Sequence, residues 1–250
     1  MSDRICAVIP AAGRGTRLGQ AIPKIMIEVA DGVTVWHLLH RRLRPSVAHV
    51  HVVLSPDGVG AFRELAAAEL ATGAVSVSVQ PEPTGMGDAI FGAAPQWRGH
   101  DAILVVWGDQ ANLSPVTVRA VAAAHTGPGV TLPLVAMADP YVEYEFGPAG
   151  LTRVLMSREG DRCRPGGLSD IGVFCLATAG LEEAWARYAA GARRGAATGE
   201  VNFLPFLPHL AQDLAWPVRV VPVADPDEAR GINTPADLEF ARRAHARWAT

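Results

Sequence analysis

Cysteine is scarce, and the three present, Cys6, Cys163 and Cys175, are widely spaced with no CxxC pair. That excludes a disulfide framework and a structural zinc site, and leaves buried free thiols as the expectation. No apolar run approaches the roughly 18 residues that a bilayer crossing needs. The leading "MSDRICAVIPAAG" has too short an apolar core, and no positively charged leader, to direct export. A cytoplasmic protein with no membrane partner is expected. Positive charge is not in excess: 22 Lys and Arg face 25 Asp and Glu, a formal net charge of -3, so no nucleic acid partner is expected either. Missing too are a G-x-S-x-G elbow and any Cys-His partnership for covalent catalysis. His37 and His40 share a helical face and His49 and His51 a strand face, but neither pair has a neighbouring carboxylate or cysteine to complete a metal shell.

What the chain does have is apolar surface to bury. Hydrophobic residues make up 49% and charged residues 19%, as suits strands covered on both faces. The apolar runs "ICAVIPA", "HVHVVLS", "VSVSVQ", "DAILVVWG" and "VTLPLVAM" are mostly separated by segments of helical length, the rhythm of an α/β fold around a mostly parallel sheet flanked by helices. Helix starts are marked at Thr34, at Ser114 before Pro115, and at Thr234 before Pro235 and Asp237. After about Ala138 glycine and proline break the pattern, which predicts a β-rich lid over about 139–177 within a single 1–250 domain.

Gly13 and Gly15 fall where the first strand should end, the edge at which open α/β sheets bind ligands. A dinucleotide fingerprint would need a third glycine where Leu18 stands, and no GxxxxGK(S/T) can be drawn for a P-loop. A third reading is a loop whose backbone N–H groups wrap a triphosphate, with Arg17 and Lys24 adding charge.

"PAAGRGTRLGQAIPK" resembles the AAGxGTRMxxxxPK signature of the sugar-nucleotide pyrophosphorylases, or nucleotidylyltransferases, a family that includes the uridylyltransferase part of the bacterial N-acetylglucosamine-1-phosphate enzyme. The resemblance implies a Rossmann-like fold, a nucleotide-binding loop at Ala11, Ala12, Gly13, Gly15 and Thr16, and catalytic Arg17 and Lys24. "QPEPTGMGDAI" is similar to the segment that holds the base, implicating Gln80 and Gly85. "LVVWGDQ" and "ARGINTPADLEFA" are similar to the two metal-binding segments, implying that Asp109 and Asn233 hold the cofactor Mg2+. A hard-oxygen pair of that kind suits an ion that completes its shell with phosphate and water.

The resemblance thins in the lid, where the acceptor is read. "GPAGLTR" keeps Arg153, "SDIG" has Asp170 where the family has asparagine, and "TGEVNFLPFL" offers Glu200. The expected reaction is transfer of a nucleotidyl group from an NTP, UTP first, to a sugar 1-phosphate or similar phosphorylated acceptor. Cytidylyl or thymidylyl transfer to another phosphate is the near alternative. A glycosyltransferase on the related fold would want a DxD motif, but Asp109 is followed by Gln110 and Ala111. A catalytically silent nucleotide sensor would have little reason to keep Arg17, Lys24, Asp109 and Asn233 together.

Overall fold

Five residues in a row, Ile5 to Ile9, are buried in the first strand, because it sits at the middle of a sheet covered on both sides. The computed structural model describes residues 4–13, 22–148, 150–197 and 199–248. The first part of the chain holds β1 (Ile5–Pro10), β2 (Glu28–Ala30), β3 (Val33–Thr34), α1 (Val35–Leu43), β4 (His49–Leu54), α2 (Pro56–Leu65), α3 (Ala67–Ala71) and β5 (Val75–Val79). Then come α4 (Met86–Gly92), α5 (Ala94–Trp97), β6 (Ala102–Val106), α6 (Pro115–Ala124), β7 (Val130–Ala136), β8 (Val142–Gly147) and β9 (Gly150–Met156). The remainder supplies β10 (Leu168–Asp170), β11 (Val173–Ala177), α7 (Leu181–Gly191), α8 (Phe206–Gln212), β12 (Val218–Pro222) and α9 (Pro235–Trp248).

β1 pairs in parallel with β4 on one side and β6 on the other, and β5 extends the sheet beyond β4. Beyond β6 the pairing turns antiparallel through β11. Leu134 of β7 pairs with Asp170 and with Pro222, while Thr131 pairs with Cys175 and with Arg219. A strand has only two edges, so β10 and β11 occupy one edge of β7 in succession and β12 takes the other. The segment expected as a lid over 139–177 is therefore divided. Only β8 and β9 form a separate two-stranded sheet, whereas β10 and β11 are part of the main one.

Strand alternation sends Ile5, Ala7 and Ile9 to one face and Cys6 and Val8 to the other. The first face packs under α1, α2, α6 and α9 through residues such as Trp36, Phe62, Val118 and Leu238. The second lies under α4, α5, α7, α8 and the β8–β9 hairpin, with Trp97, Trp185, Phe206 and Leu151 at its centre. Burial pushes the Cys6 thiol up to about 12, and Cys175 is raised for the same reason. Cys163, expected to be buried, is only half-buried beside the hairpin. No helix among the described residues is long and apolar enough to cross a membrane.

The helix starts behave as their residues dictate. Ser114 Oγ accepts from the Val116 N–H at 3.1 Å, and at Thr34 the reciprocal bond comes from the His37 ring, whose Nδ1 accepts from the Thr34 N–H at 3.0 Å. The second histidine pair is bound into the sheet. His51 is wholly buried, with Nδ1 2.7 Å from Ser76 Oγ and Nε2 2.8 Å from Ser78 Oγ, and His49 Nε2 lies 2.6 Å from the same Ser76 hydroxyl.

Two hydroxyls, each able to donate or accept, satisfy a neutral imidazole, and burial lowers the His51 pKa to about 4, with His49 adding to the effect. The unfolded chain takes up this proton near pH 6.5 and the folded chain near pH 4. Stability from this group is thus complete above pH 6.5 and is lost as pH falls toward 4. Chemical denaturation at a series of pH values should show, within that window, a slope shallower by up to about 1.4 kcal/mol per pH unit in His51→Gln than in the parent protein. Equal slopes would mean that the ring is not held neutral.

Candidate active site

The carboxyl ends of β1, β5 and β6 open into a cleft of about 680 Å³, walled opposite by the β8–β9 hairpin and the 200–204 segment. On its floor the ammonium of Lys24 bridges two oxygens, Asp109 Oδ2 at 2.9 Å and Asn233 Oδ1 at 2.6 Å. Each of the three side chains is placed by its own segment. Lys24 opens a single helical turn whose next residues, Ile25 and Met26, are buried. Asp109 follows the wholly buried β6, and Asn233 precedes α9.

The segments carrying Asp109 and Asn233 are laced together by backbone and side-chain bonds. The Ile232 N–H donates to the Asp109 carbonyl at 3.0 Å, and Asn112 Nδ2 donates to the Arg230 carbonyl at 2.8 Å. Buried Glu228 accepts from the Ser114 N–H and the Thr117 hydroxyl, both at 2.8 Å. Asp237 goes further: Oδ2 accepts from the Asn233 N–H at 3.1 Å and from the Thr234 N–H and hydroxyl at 2.8 Å, while Oδ1 accepts from Arg230 Nε at 2.8 Å. Burial alone would raise the Asp237 pKa, but these donors outweigh it and hold it below the ordinary carboxylate value. The residue expected to mark a helix start therefore also fixes the backbone of a putting-together of oxygens at the cleft floor.

The donor set suits a divalent ion. A carboxylate and an amide oxygen converge on one cationic centre, which is hard-ligand chemistry, and no cluster of three or more His, Cys, Asp and Glu that could hold a metal is found among the described residues. Two protein oxygens leave most of an octahedral shell to phosphate and water, as magnesium prefers.

The β5 side of the cleft carries the base-binding candidates. Gly85 has φ +124°, a conformation that favours glycine, and it turns its carbonyl to Gln80, whose Nε2 donates to it at 2.9 Å. A carbonyl can only accept, so this contact fixes the amide with nitrogen toward Gly85 and Oε1 remaining as an acceptor. Glu200 lies against the same glycine: a side chain at 85 would approach Glu200 Cβ to 3.1 Å. Ala11, Ala12 and Gly13 line the cleft, whereas Gly15, Thr16 and Arg17 lie outside the described residues.

The acceptor candidates divide. Asp170 lines the cleft but is tied to its neighbours, Oδ2 accepting from the Tyr144 hydroxyl at 3.1 Å and Oδ1 from the Gly172 N–H at 2.7 Å. Burial pushes its carboxyl pKa up. Arg153 is not among the residues lining the cleft; its side chain is 62% exposed and pairs with Asp161 at 3.1 Å. The cause is a bulge. Glu145 pairs with Arg153 and Phe146 with Leu151, so Thr152 is an extra residue, and Thr152 and Arg153 both end on the exposed side. Tyr144, one of the lid residues read from the sequence as a solvated loop face, is instead buried, and Gln110 and Asn112 carry no recognisable signal in the sequence, because each meets groups distant along the chain.

The family model of the MobA-like NTP transferase domain matches residues 7–194. The chain is 31% identical over 246 residues to the bifunctional protein GlmU of Paracoccus denitrificans, an alignment covering 96% of this chain and 52% of that protein, so the chain spans about half the length of this relative. In fold it is similar to a Bacillus anthracis protein described as a glucose-1-phosphate thymidylyltransferase, solved with sucrose, at a TM-score of 0.72, 13% identity and coverage of 96% and 94% of the two chains. It is also similar to a nucleotidyl transferase from Methanothermobacter, at a TM-score of 0.65, 21% identity and coverage of 98% and 99%.

Asp237→Ala removes the acceptor for Asn233, Thr234 and Arg230 together. It should cost about 1–3 kcal/mol in stability by thermal or chemical denaturation, since a helix cap and a partly buried ion pair are lost at once. If its stability matched the parent's, Asp237 would not be what anchors the 230–234 segment.

Proposed function

The chain belongs to the MobA-like NTP transferase domain family and is a nucleotidyltransferase, and from that premise we propose that it transfers a uridylyl group from UTP to a sugar 1-phosphate, releasing pyrophosphate, with Mg2+ as cofactor. The observation that carries the proposal is the convergence of Lys24, Asp109 and Asn233 on one point of the cleft floor. Asp109 and Asn233 would hold Mg2+, which when bound supplies the charge that lets two mutually repelling phosphates come together. Lys24, its ammonium then turned to the phosphate oxygens, stabilises the charge that builds on them and on the leaving pyrophosphate. Arg17, marked by the sequence resemblance, would add a second cation to the same end. No side chain needs to act as nucleophile, because the acceptor's own phosphate oxygen attacks the α-phosphorus. The family supports an NTP as the donor.

Base choice rests on Gln80. With Nε2 committed to the Gly85 carbonyl, Oε1 is left to accept from the base, and uracil offers N3–H. Thymine offers the same group, and cytosine offers its N4 amino hydrogens, so dTTP and CTP are the substrates to compete against UTP. The acceptor's phosphate belongs beside Lys24, and its body toward the β10–β11 side.

Pyrophosphate release measured with each NTP and a set of sugar 1-phosphates should be fastest with UTP and should stop in excess EDTA. Asp109→Asn should lower turnover by about 100-fold or more with the fold intact by circular dichroism. Gln80→Ala should flatten the preference for UTP over the other NTPs by about 1–3 kcal/mol while lowering total activity less. A purine NTP preferred by the parent protein would overturn the base assignment, and near-normal turnover of Asp109→Asn would overturn the metal assignment.

A further inference from the structure

Where β10 gives way to β11, the main sheet is notched. Gly172, at φ +73°, breaks the strand, and its carbonyl accepts from the Trp107 N–H at 2.9 Å. Its N–H is taken by Asp170 Oδ1, and Asp170 Oδ2 is taken by the Tyr144 hydroxyl. The side chain of Gln110 lies over this glycine: a side chain at 172 would come within 2.4 Å of Gln110 Nε2 and 2.7 Å of Trp107 Cδ1. Gln110 lines the cleft, yet it is only 4% exposed, and its Oε1 is buried and accepts no hydrogen bond from any described residue. The neighbouring polar groups at the notch satisfy one another and leave this one oxygen out. An orphaned amide oxygen costs stability in the free protein, so it is a feature that packing alone would remove.

We propose that Gln110 is a specificity residue for the acceptor, its Oε1 accepting a hydrogen bond from a hydroxyl of the acceptor's body. The inference rests on the reaction proposed above. Topology places the residue correctly for that role. The nucleotide candidates belong to the loops after β1 and β5, whereas Gln110 follows β6 and faces the β10–β11 turn, so it lies on the other side of Asp109 from the base. Chemistry narrows the group. A buried lone acceptor beside the carboxyl of Asp170 repels phosphate and carboxylate, and it calls for a donor. A hydroxyl donates to Oε1 while its own oxygen remains free to accept elsewhere, and a sugar phosphate carries several. The phosphate would then point to Lys24 and the hydroxylated ring to Gln110.

Gln110→Met replaces the amide with an apolar chain of similar length and gives two independent readouts. Without substrates its melting temperature should rise, because the unpaired oxygen is gone. With substrates the acceptor KM should rise about 10-fold or more while the KM for the NTP stays within about twofold. Among acceptors lacking one hydroxyl each, one should be used poorly by the parent protein and no worse than the full acceptor by Gln110→Met, which identifies the partner group. Gln110→Leu serves the same purpose should the methionine variant not accumulate. A lower melting temperature with unchanged acceptor KM would make Gln110 a structural residue and overturn the inference. If the parent protein released pyrophosphate with no sugar 1-phosphate and any NTP, the proposed reaction itself would fail, and the inference with it.

Discussion

Everything at the cleft floor depends on one ammonium group held between two oxygens. Lys24 meets Asp109 across 85 positions of sequence and Asn233 across 209, so one side chain closes the first, middle and last parts of the chain onto each other. A carboxylate and an amide oxygen aimed at a common point repel each other unless a cation lies between them, and partly buried charges are screened less than exposed ones. The surrounding bonds make sense only against that constraint. Asn112 to the Arg230 carbonyl, Glu228 to Ser114 and Thr117, and Asp237 to the Asn233 backbone all hold the two loops so that the oxygens cannot drift apart.

The sheet divides the labour of the cleft. Its parallel part, β1, β4 and β5, ends in the glycine loop and the Gln80–Gly85 turn, while its antiparallel part, β10 and β11, ends in the Asp170–Gly172 notch. Asp109 and Gln110 are adjacent residues at the border. The first turns toward Lys24 and the second toward Gly172. On the proposed reading, chemistry common to any phosphate acceptor would be kept on one side and recognition of a particular acceptor on the other.

The legible part of this organisation is the part written locally. Lys24, Gln80 with Gly85, Asp109 and Asn233 each lie in short segments that stand out by residue type, and the structure brings them to one cleft, while the helix starts at Thr34, Ser114 and Thr234 follow capping rules. The illegible part is written across distance. Arg153 could not be placed from its segment, because its direction is set by one extra residue, Thr152, relative to the partner strand β8. The 139–177 stretch reads as a lid because glycine and proline interrupt it, yet β10 and β11 belong to the main sheet, separated by Gly172 and both paired with β7. Gln110 and His51 look like unremarkable polar residues until their surroundings are known. One then proves to lack a partner for its oxygen, and the other to sit between two serines of the next strand.

The lacing of the two loops also sets an order of events in time. Strands β1, β4, β5 and β6 all lie before residue 107, so the parallel part of the sheet can assemble while the chain is still being made. Asn233, Asp237 and Glu228 follow more than 100 residues after Asn112 and Ser114, so until they dock, Asn112 and Ser114 have yet to gain their partners. A nascent chain can thus hold the Gln80–Gly85 side of the cleft and Asp109 while still lacking Asn233. The Lys24–Asn233 contact therefore forms as a long-range closure, a step governed by loop-closure entropy rather than by the propensities of the strands around it.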